Sequence, residues 1–169
     1  HNVIDLCKKP LVLDADALNA IAPDAGALSR LKCEAVITPH PAEMARLLGS
    51  DTANVQSDRI GTAKAFAEEY GITVVLKGAG TVIAGPDGRV CINPTGNNGM
   101  ATAGSGDVLA GMTVSLLGQD VPPFEAAVAA AYIHGLAGDR AAAEKGACAM
   151  TASDIQEWIG EELKAIRGY

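Results

Sequence analysis

The sequence has no long apolar run, no closely paired cysteines and no excess of positive charge. None of its apolar runs approaches the roughly 18 residues of a membrane span, and the chain does not open with a basic stretch followed by an apolar segment. The 13 basic and 20 acidic side chains give a net charge of −7, which argues against nucleic acid or an anionic membrane as the main partner. We therefore expect a soluble, cytoplasmic protein.

The cysteines and the chain length indicate which kind of protein and how many domains to expect. Cys7, Cys33, Cys91 and Cys148 form no Cys-x-x-Cys pair and have no accompanying histidine spacing that suggests zinc. We interpret them as reduced, mostly buried thiols and predict no metal-ligating set of side chains. The 169 residues, 49% of them hydrophobic, suit a single domain over residues 1–169.

Short apolar segments alternate with helical patterns along the chain. Strands are predicted at 11–13, 35–38 and 72–76, with a hairpin region formed by 81–84 and 89–92. Helices are predicted at 17–22, 25–31, 42–48, 57–70, 108–117, 123–143 and 153–166. This alternation predicts an α/β domain with a largely parallel sheet covered by helices on both faces.

A glycine-rich loop is the strongest functional signal. Residues 93–106 contain four glycines and three asparagines, so we expect an irregular loop with many free backbone amides. Its end, Gly104-Ser105-Gly106-Asp107, runs into an apolar helix, and glycine amides with the helix dipole form an anion hole. We place Asp107 just ahead of the helix as a general base for a substrate hydroxyl. Helix capping is the alternative.

A second candidate segment follows the predicted strand at 72–76. Lys77 precedes Gly78-Ala79-Gly80-Thr81, and open α/β sheets bind ligands beyond the carboxyl ends of their strands. The lysine can reach phosphate oxygens there, while the two glycines permit a tight turn under a nucleotide. A simple hairpin turn with a solvated lysine is the alternative.

Polar side chains also follow the first two predicted strands. His40 lies between two prolines and three residues before Glu43, a rigid setting that suits a ligand-contacting imidazole, although a lone histidine in a turn is more often structural. Asp14, Asp16 and Asn19 form a polar group that could order a substrate or water-bound Mg²⁺, and capping of the following helix is the equal alternative for Asp16. His134 has no partner in sequence, and we interpret it as a packing residue.

The run from Asn93 to Gly111, Asn-Pro-Thr-Gly-Asn-Asn-Gly-Met-Ala-Thr-Ala-Gly-Ser-Gly-Asp-Val-Leu-Ala-Gly, closely resembles the glycine loop of the NAD(P)H-hydrate dehydratases, which belong to the ribokinase-like superfamily. Four other blocks agree in order, at 13–19, 38–43, 76–79 and 132–142. The resemblance implies a three-layer ribokinase-like fold with a mostly parallel central sheet flanked by helices. The family's fold begins with strands and a substrate loop that this sequence lacks, so we expect a C-terminal portion.

The resemblance implies repair of hydrated NADH or NADPH: an adenine nucleotide phosphorylates the hydroxyl on the damaged nicotinamide ring, and phosphate is then eliminated. By position, Asp107 would contact the hydrated ring and serve as the base, with His40, Asp14 and Asn19 at the substrate site and Mg²⁺ assisting. The nucleotide would be held by Lys77, Gly78, Ala79, Gly80, Thr81, Asn97, Gly104, Ser105 and Gly106.

Details of the motif refine this interpretation. The form Gly-Asn-x-Gly-Met-Ala-Thr is similar to the ADP-using prokaryotic branch, commonly tetrameric, rather than the ATP-using one. Ser105 stands where the family usually has Thr, and Asn98 where Pro is usual; both changes keep the backbone role. Two other functions stay open, a ribokinase-like kinase of a small vitamin precursor and a non-catalytic nucleotide-binding piece.

Overall fold

The computed structural model describes residues 2–168 of the chain. Its strands are β1 (Leu11–Leu13), β2 (Ala35–Ile37), β3 (Thr73–Leu76), β4 (Val82–Ala84) and β5 (Val90–Ile92). Its α-helices are α1 (Asn2–Leu6), α2 (Asp16–Ile21), α3 (Pro41–Leu47), α4 (Thr52–Ser57), α5 (Arg59–Tyr70), α6 (Ser105–Leu117), α7 (Pro123–Lys145) and α8 (Ala152–Arg167). Two 3₁₀ segments, Ala22–Arg30 and Asn98–Met100, complete the regular structure.

The five strands form one mixed sheet in the order in which they occur along the chain. β1 pairs with β2 and β2 with β3 in parallel, whereas β4 is antiparallel to both β3 and β5. Four of the five strands therefore point the same way, since β5 runs opposite to β4 and so along β3. β2 and β3 are short, fully buried runs, as a sheet covered on both faces requires, whereas β1 at the edge is only partly buried.

Alternate strand residues enter two separate cores. Ile37 and Val74 pack with the helices from α2 to α5 on one face of the sheet. Val36, Val75 and Ile83 pack with α6 and α7 on the other face, as the twofold alternation of a strand dictates. α8 lies outside α6 and α7, so the predicted arrangement of helices on both faces is confirmed.

Several predicted boundaries were wrong. The polar stretch before the first strand contains α1, and α4 had no predicted counterpart. The helix predicted from residue 25 is 3₁₀ within Ala22–Arg30, while the helix predicted from residue 57 begins at Arg59 after an Asp58 cap. α6 begins three residues earlier than predicted, which places Asp107 inside its first turn.

Two expectations from composition can be compared with the structure. Within residues 2–168, no helix is long and apolar enough to cross a membrane. The thiols were expected to be mostly buried, but Cys7, Cys33 and Cys91 are half-buried and Cys148 is exposed.

Candidate active site

Polar side chains gather where β1, β2 and β3 end, because the carboxyl ends of parallel strands meet at one edge of a sheet. Asp14 follows β1, the segment 38–40 follows β2, and Lys77 follows β3. Backbone hydrogen bonds hold the three ends in register: the Thr38 amide donates to the Leu13 carbonyl at 3.1 Å and the Lys77 amide to the Pro39 carbonyl at 2.8 Å. The sheet thus fixes these groups relative to one another.

Lys77 is the centre of this group. Its Nζ lies 2.8 Å from Oδ1 of Asp14 and 3.8 Å from Oε2 of Glu43. The Glu43 carboxylate is 6% exposed and that of Asp14 is 12% exposed, so both depend on the lysine for charge compensation. The Lys77 side chain as a whole is 20% exposed, so it is not closed off from an anionic ligand.

The first turn of α6 lies directly against this cluster. A methyl group at Gly106 would stand 3.4 Å from Nζ of Lys77 and 3.6 Å from Oδ2 of Asp14. Among the described residues, the amides of Gly106 and Asp107 have no hydrogen-bond partner. The structure therefore brings a lysine ammonium and a helix N-terminus together, which is the arrangement that binds phosphate.

Asp107 is accessible to a ligand. Its side chain is exposed, and it lies at one end of a cavity of about 490 Å³ between α6 and α8. The rest of the lining mixes apolar side chains such as Met112, Leu116 and Ile159 with polar ones such as Gln119 and Gln156. A carboxylate in this position can meet a substrate hydroxyl, which a carboxylate buried in apolar packing could not.

The glycine loop has fewer free amides than the sequence suggested. The Gly96 amide donates to Asp139 and the Gly99 amide to Asn97. The amides of Met100, Ala101 and Ser105 also bond within the loop. These hydrogen bonds stabilise the conformation of the loop. Among the amides that have no partner within residues 2–168, those of Gly106 and Asp107 lie at the start of α6, against the lysine cluster.

The segment 77–81 is held from outside by a residue that the sequence did not indicate. Arg59 donates to the carbonyl of Ala79 at 2.6 Å and to that of Leu76 at 2.9 Å. Burial lowers the pKa of this guanidinium, and a methyl group at Gly78 would lie only 2.9 Å from its Nη2 atom. Thr81 closes the turn by donating to the Gly78 carbonyl at 3.1 Å.

His40 caps α3 with its ring. Nδ1 accepts from the amides of Ala42 and Glu43 at 3.1 and 3.2 Å, so in the neutral ring the proton is on Nε2, which lies 3.4 Å from Oε1 of Glu43. The second oxygen of Glu43 accepts from the His40 amide at 2.7 Å. His40 therefore shapes the turn beside Lys77, and its half-exposed ring stays open to a ligand.

Two predicted site residues lie apart from the lysine cluster. Asn19 is exposed on α2, and its side-chain oxygen accepts from Arg46 at 2.9 Å. Asn97 donates to the Gly138 carbonyl and to Asp139, both at 2.9 Å, and its oxygen accepts from Gly99. Its side chain is occupied in shaping the loop rather than free for a nucleotide.

Ser105, the first residue of α6, is buried against His134. Its Oγ lies 3.4 Å from Nε2 of the imidazole, and burial lowers the pKa of His134 to about 4. The histidine is therefore neutral near pH 7 and packs α7 against the start of α6, in keeping with the packing interpretation.

Comparison with solved structures defines the class. A ribokinase-like superfamily protein from Enterococcus faecalis matches with a TM-score of 0.80 at 29% identity, over 97% of this chain and 56% of its own. The ADP/ATP-dependent NAD(P)H-hydrate dehydratase of Bacillus subtilis, co-crystallised with ATP and Mg²⁺, matches with a TM-score of 0.84 at 31% identity, over 97% of this chain and 57% of its own. The fold is ribokinase-like, as predicted.

Sequence comparison gives the family. The family described as NAD(P)H-hydrate dehydratase matches residues 2–161, and the chain belongs to it. A bifunctional NAD(P)H-hydrate repair enzyme of Moorella thermoacetica is 54% identical over 155 residues, 92% of this chain and 29% of the relative. An ADP-dependent (S)-NAD(P)H-hydrate dehydratase of Neisseria meningitidis is 53% identical over 133 residues, 78% of this chain and 45% of the relative. The chain thus spans less than half of either relative.

Proposed function

We propose that the chain carries the nucleotide-binding and catalytic groups of an enzyme that dehydrates hydrated NADH or NADPH with ADP, or alternatively ATP, as phosphoryl donor. One observation supports this most directly: the start of α6, where the amides of Gly106 and Asp107 are free, lies against Lys77 at Gly106, and the exposed Asp107 is the next residue of the same turn. A site for a transferring phosphoryl group and a base for the hydroxyl that receives it are adjacent. Family membership and the printed activities of the two relatives support the substrate.

The proposed roles follow from this geometry. Asp107 takes the proton from the ring hydroxyl as that oxygen attacks the terminal phosphoryl group of the nucleotide. The free amides of Gly106 and Asp107, with Lys77, stabilise charge on the transferring group, and Gly104 and Ser105 set the course of the backbone that presents them. Loss of phosphate and of a ring proton then restores the reduced nicotinamide.

Other residues position the two ligands. The segment 77–81 holds the nucleotide, in a turn that Arg59 closes. His40 and Asp14 face the hydrated ring, and Asn19 contributes at the margin of the substrate site. Asn97 acts on the nucleotide through the shape of the loop, because all of its side-chain polar atoms are already bonded.

Magnesium fits this site as a companion of the nucleotide. The part of the chain that the structure describes holds no group of three or more metal-ligating side chains. Mg²⁺ in phosphoryl-transfer enzymes is held by one or two carboxylates together with substrate phosphates, and Asp14 and Asp107 are the carboxylates beside Gly106. When bound, the ion neutralises charge on the phosphates.

The test is to incubate the chain with hydrated NADH and Mg²⁺ in the presence of ADP or of ATP, and to follow both recovery of NADH absorbance and release of phosphate. Recovery of NADH with one phosphate released per turnover supports the proposal. The nucleotide that gives the faster turnover is then identified as the phosphoryl donor. A phosphorylated product that persists would instead indicate a kinase. Nucleotide binding by calorimetry without any turnover would indicate a non-catalytic nucleotide-binding piece.

The proposal also covers the domain organisation and the oligomeric state. We propose that residues 1–169 form one ribokinase-like unit of a cytoplasmic homotetramer, by analogy with the ADP-using branch of the family. Light scattering of the purified protein measures the mass, and a monomeric mass over a wide concentration range would contradict the tetramer.

A further inference from the structure

One face of α7 carries the glycine loop. Asn93 donates to the Ala131 carbonyl at 3.1 Å, and Thr95 donates to the Tyr132 carbonyl at 2.9 Å. Glycines farther along α7 allow this approach, because a Cβ at Gly135 would overlap Thr95. The loop is therefore attached to α7 over its whole first half, and its course depends on that helix.

Asp139 is the charged member of this attachment. Its Oδ2 accepts from the Gly96 amide at 2.9 Å, and its Oδ1 accepts from the Asn97 side chain at 2.9 Å. Hydrogen bonds to a carboxylate are about twice as strong as neutral ones. Asn97 in turn constrains Gly99, since the side-chain oxygen of Asn97 accepts a hydrogen bond from the Gly99 amide.

No cation competes for this carboxylate within residues 2–168: no Lys, Arg or His nitrogen there lies within 4 Å of Asp139. The next residue, Arg140, turns instead toward α8 and pairs with Glu162 at 3.0 Å. A half-buried carboxylate whose partners are an amide N–H and a side-chain amide acts as an acceptor for the loop rather than as part of an ion pair.

We propose that Asp139 is a positioning residue for the nucleotide. It fixes Gly96 and Asn97 on α7, and the turn Asn98–Met100 follows from Asn97. The loop then leads to Gly106 at the lysine cluster, where the free amides of Gly106 and Asp107 are available to the phosphate. The inference rests on the proposed nucleotide site. Asp139 would act on the nucleotide only through the loop that it holds.

The test compares three variants of the full chain by calorimetry with Mg²⁺ and ADP. Asp139→Ala removes both acceptors, so we expect ADP affinity to fall by roughly tenfold to a hundredfold. Asp139→Asn keeps the oxygen for Gly96 and loses the one for Asn97, so a smaller loss is expected. Arg140→Ala removes the neighbouring ion pair to α8 and is the matched control, with unchanged affinity.

A swap separates positioning from simple loss of stability. In the double variant Asn97→Asp with Asp139→Asn, donor and acceptor exchange places between residues 97 and 139, while the Gly138 carbonyl loses its donor. We therefore expect ADP affinity to recover relative to the single variant Asn97→Asp, in which two carboxylates face each other. Amide hydrogen exchange at Gly96 and Gly99 should be faster in Asp139→Ala than in Arg140→Ala. Where turnover is measurable, the KM for nucleotide should rise while kcat changes little.

Two results would overturn the inference: ADP affinity in Asp139→Ala equal to the wild type, or an equal loss in Arg140→Ala. If Asp139→Ala does not fold, Asp139→Asn and the swap carry the test. Failure of the unaltered chain to bind ADP would overturn the proposed function itself, whereas unaltered exchange at Gly96 would count against Asp139 alone.

Discussion

Replacement of Asp107 by Asn tests the base at the start of α6. The change keeps the size and shape of the side chain but removes its ability to take a proton at neutral pH. In the proposed reaction, the ring hydroxyl would then have to attack the phosphoryl group without a base. The amides of Gly106 and residue 107, which would hold the phosphate, are untouched.

The structure separates the effect on rate from the effect on stability. Loss of a general base costs about 10²- to 10⁴-fold in rate, or about 3–5 kcal/mol. Asp107 is exposed and has no hydrogen-bond or ion-pair partner among residues 2–168, so its folding contribution is limited to the helix dipole, about 0.3–1 kcal/mol. For a chain of this size, that is a change of only about 1–4 °C in Tm.

The assay follows recovery of NADH absorbance from hydrated NADH at saturating ADP or ATP, with ADP affinity measured separately by calorimetry. We expect turnover to fall by about 10² or more while nucleotide affinity stays nearly unchanged. Asp51→Asn is the matched control, because Asp51 caps the N-terminus of α4 and the substitution makes the same change of charge there. That variant should keep full turnover.

An unchanged rate in Asp107→Asn would refute the assignment of the base. A fall in rate accompanied by an equal loss of nucleotide affinity would also refute it, because the carboxylate would then be acting in binding. A fall matched by Asp51→Asn would show that the assay responds to surface charge alone.

Four further predictions concern the groups around this carboxylate. Lys77→Ala should weaken ADP binding in calorimetry by about tenfold or more, since it removes the ammonium beside the free amides; unaltered affinity would count against its role. Arg59→Met should lower the free energy of unfolding by about 1–3 kcal/mol, because two loop carbonyls lose their donor, and it should weaken ADP binding as well. In urea unfolding, Gly138→Ala should cost about 1–3 kcal/mol by overlap with Met100, whereas Gly160→Ala, which meets nothing within 4 Å, should stabilise α8 by up to about 1 kcal/mol. Because burial lowers the pKa of His134 from 6.5 to about 4, the unfolded chain binds the proton first. Stability should therefore fall by up to about 3 kcal/mol as pH drops from about 6.5 to about 4, and His134→Gln should flatten that decline.

The predictable part of the site lies in local sequence. An apolar run that ends in a polar residue marks Asp14 and Lys77, since a buried parallel strand must end where its side chains can reach solvent. The glycines before Asp107 mark a helix N-terminus in the same way. The boundary of α6 was misplaced because Ser105 and Gly106 are weak helix formers, and their helical state depends on packing against His134 and the strand ends.

The unpredicted residues act across long distances in sequence. Arg59 reaches Ala79 from α5, and Asp139 reaches Gly96 from α7, so neither has a local pattern that reveals its partner. Both accept or donate to backbone groups of a segment that contributes few side chains of its own. A loop that binds phosphate through its backbone amides has few side chains that can stabilise its own conformation. Side chains of neighbouring elements must therefore stabilise it. The residues that set the geometry of such a site are therefore expected on the helices around it. Substitution of these residues should alter nucleotide affinity even though their side chains do not contact the nucleotide.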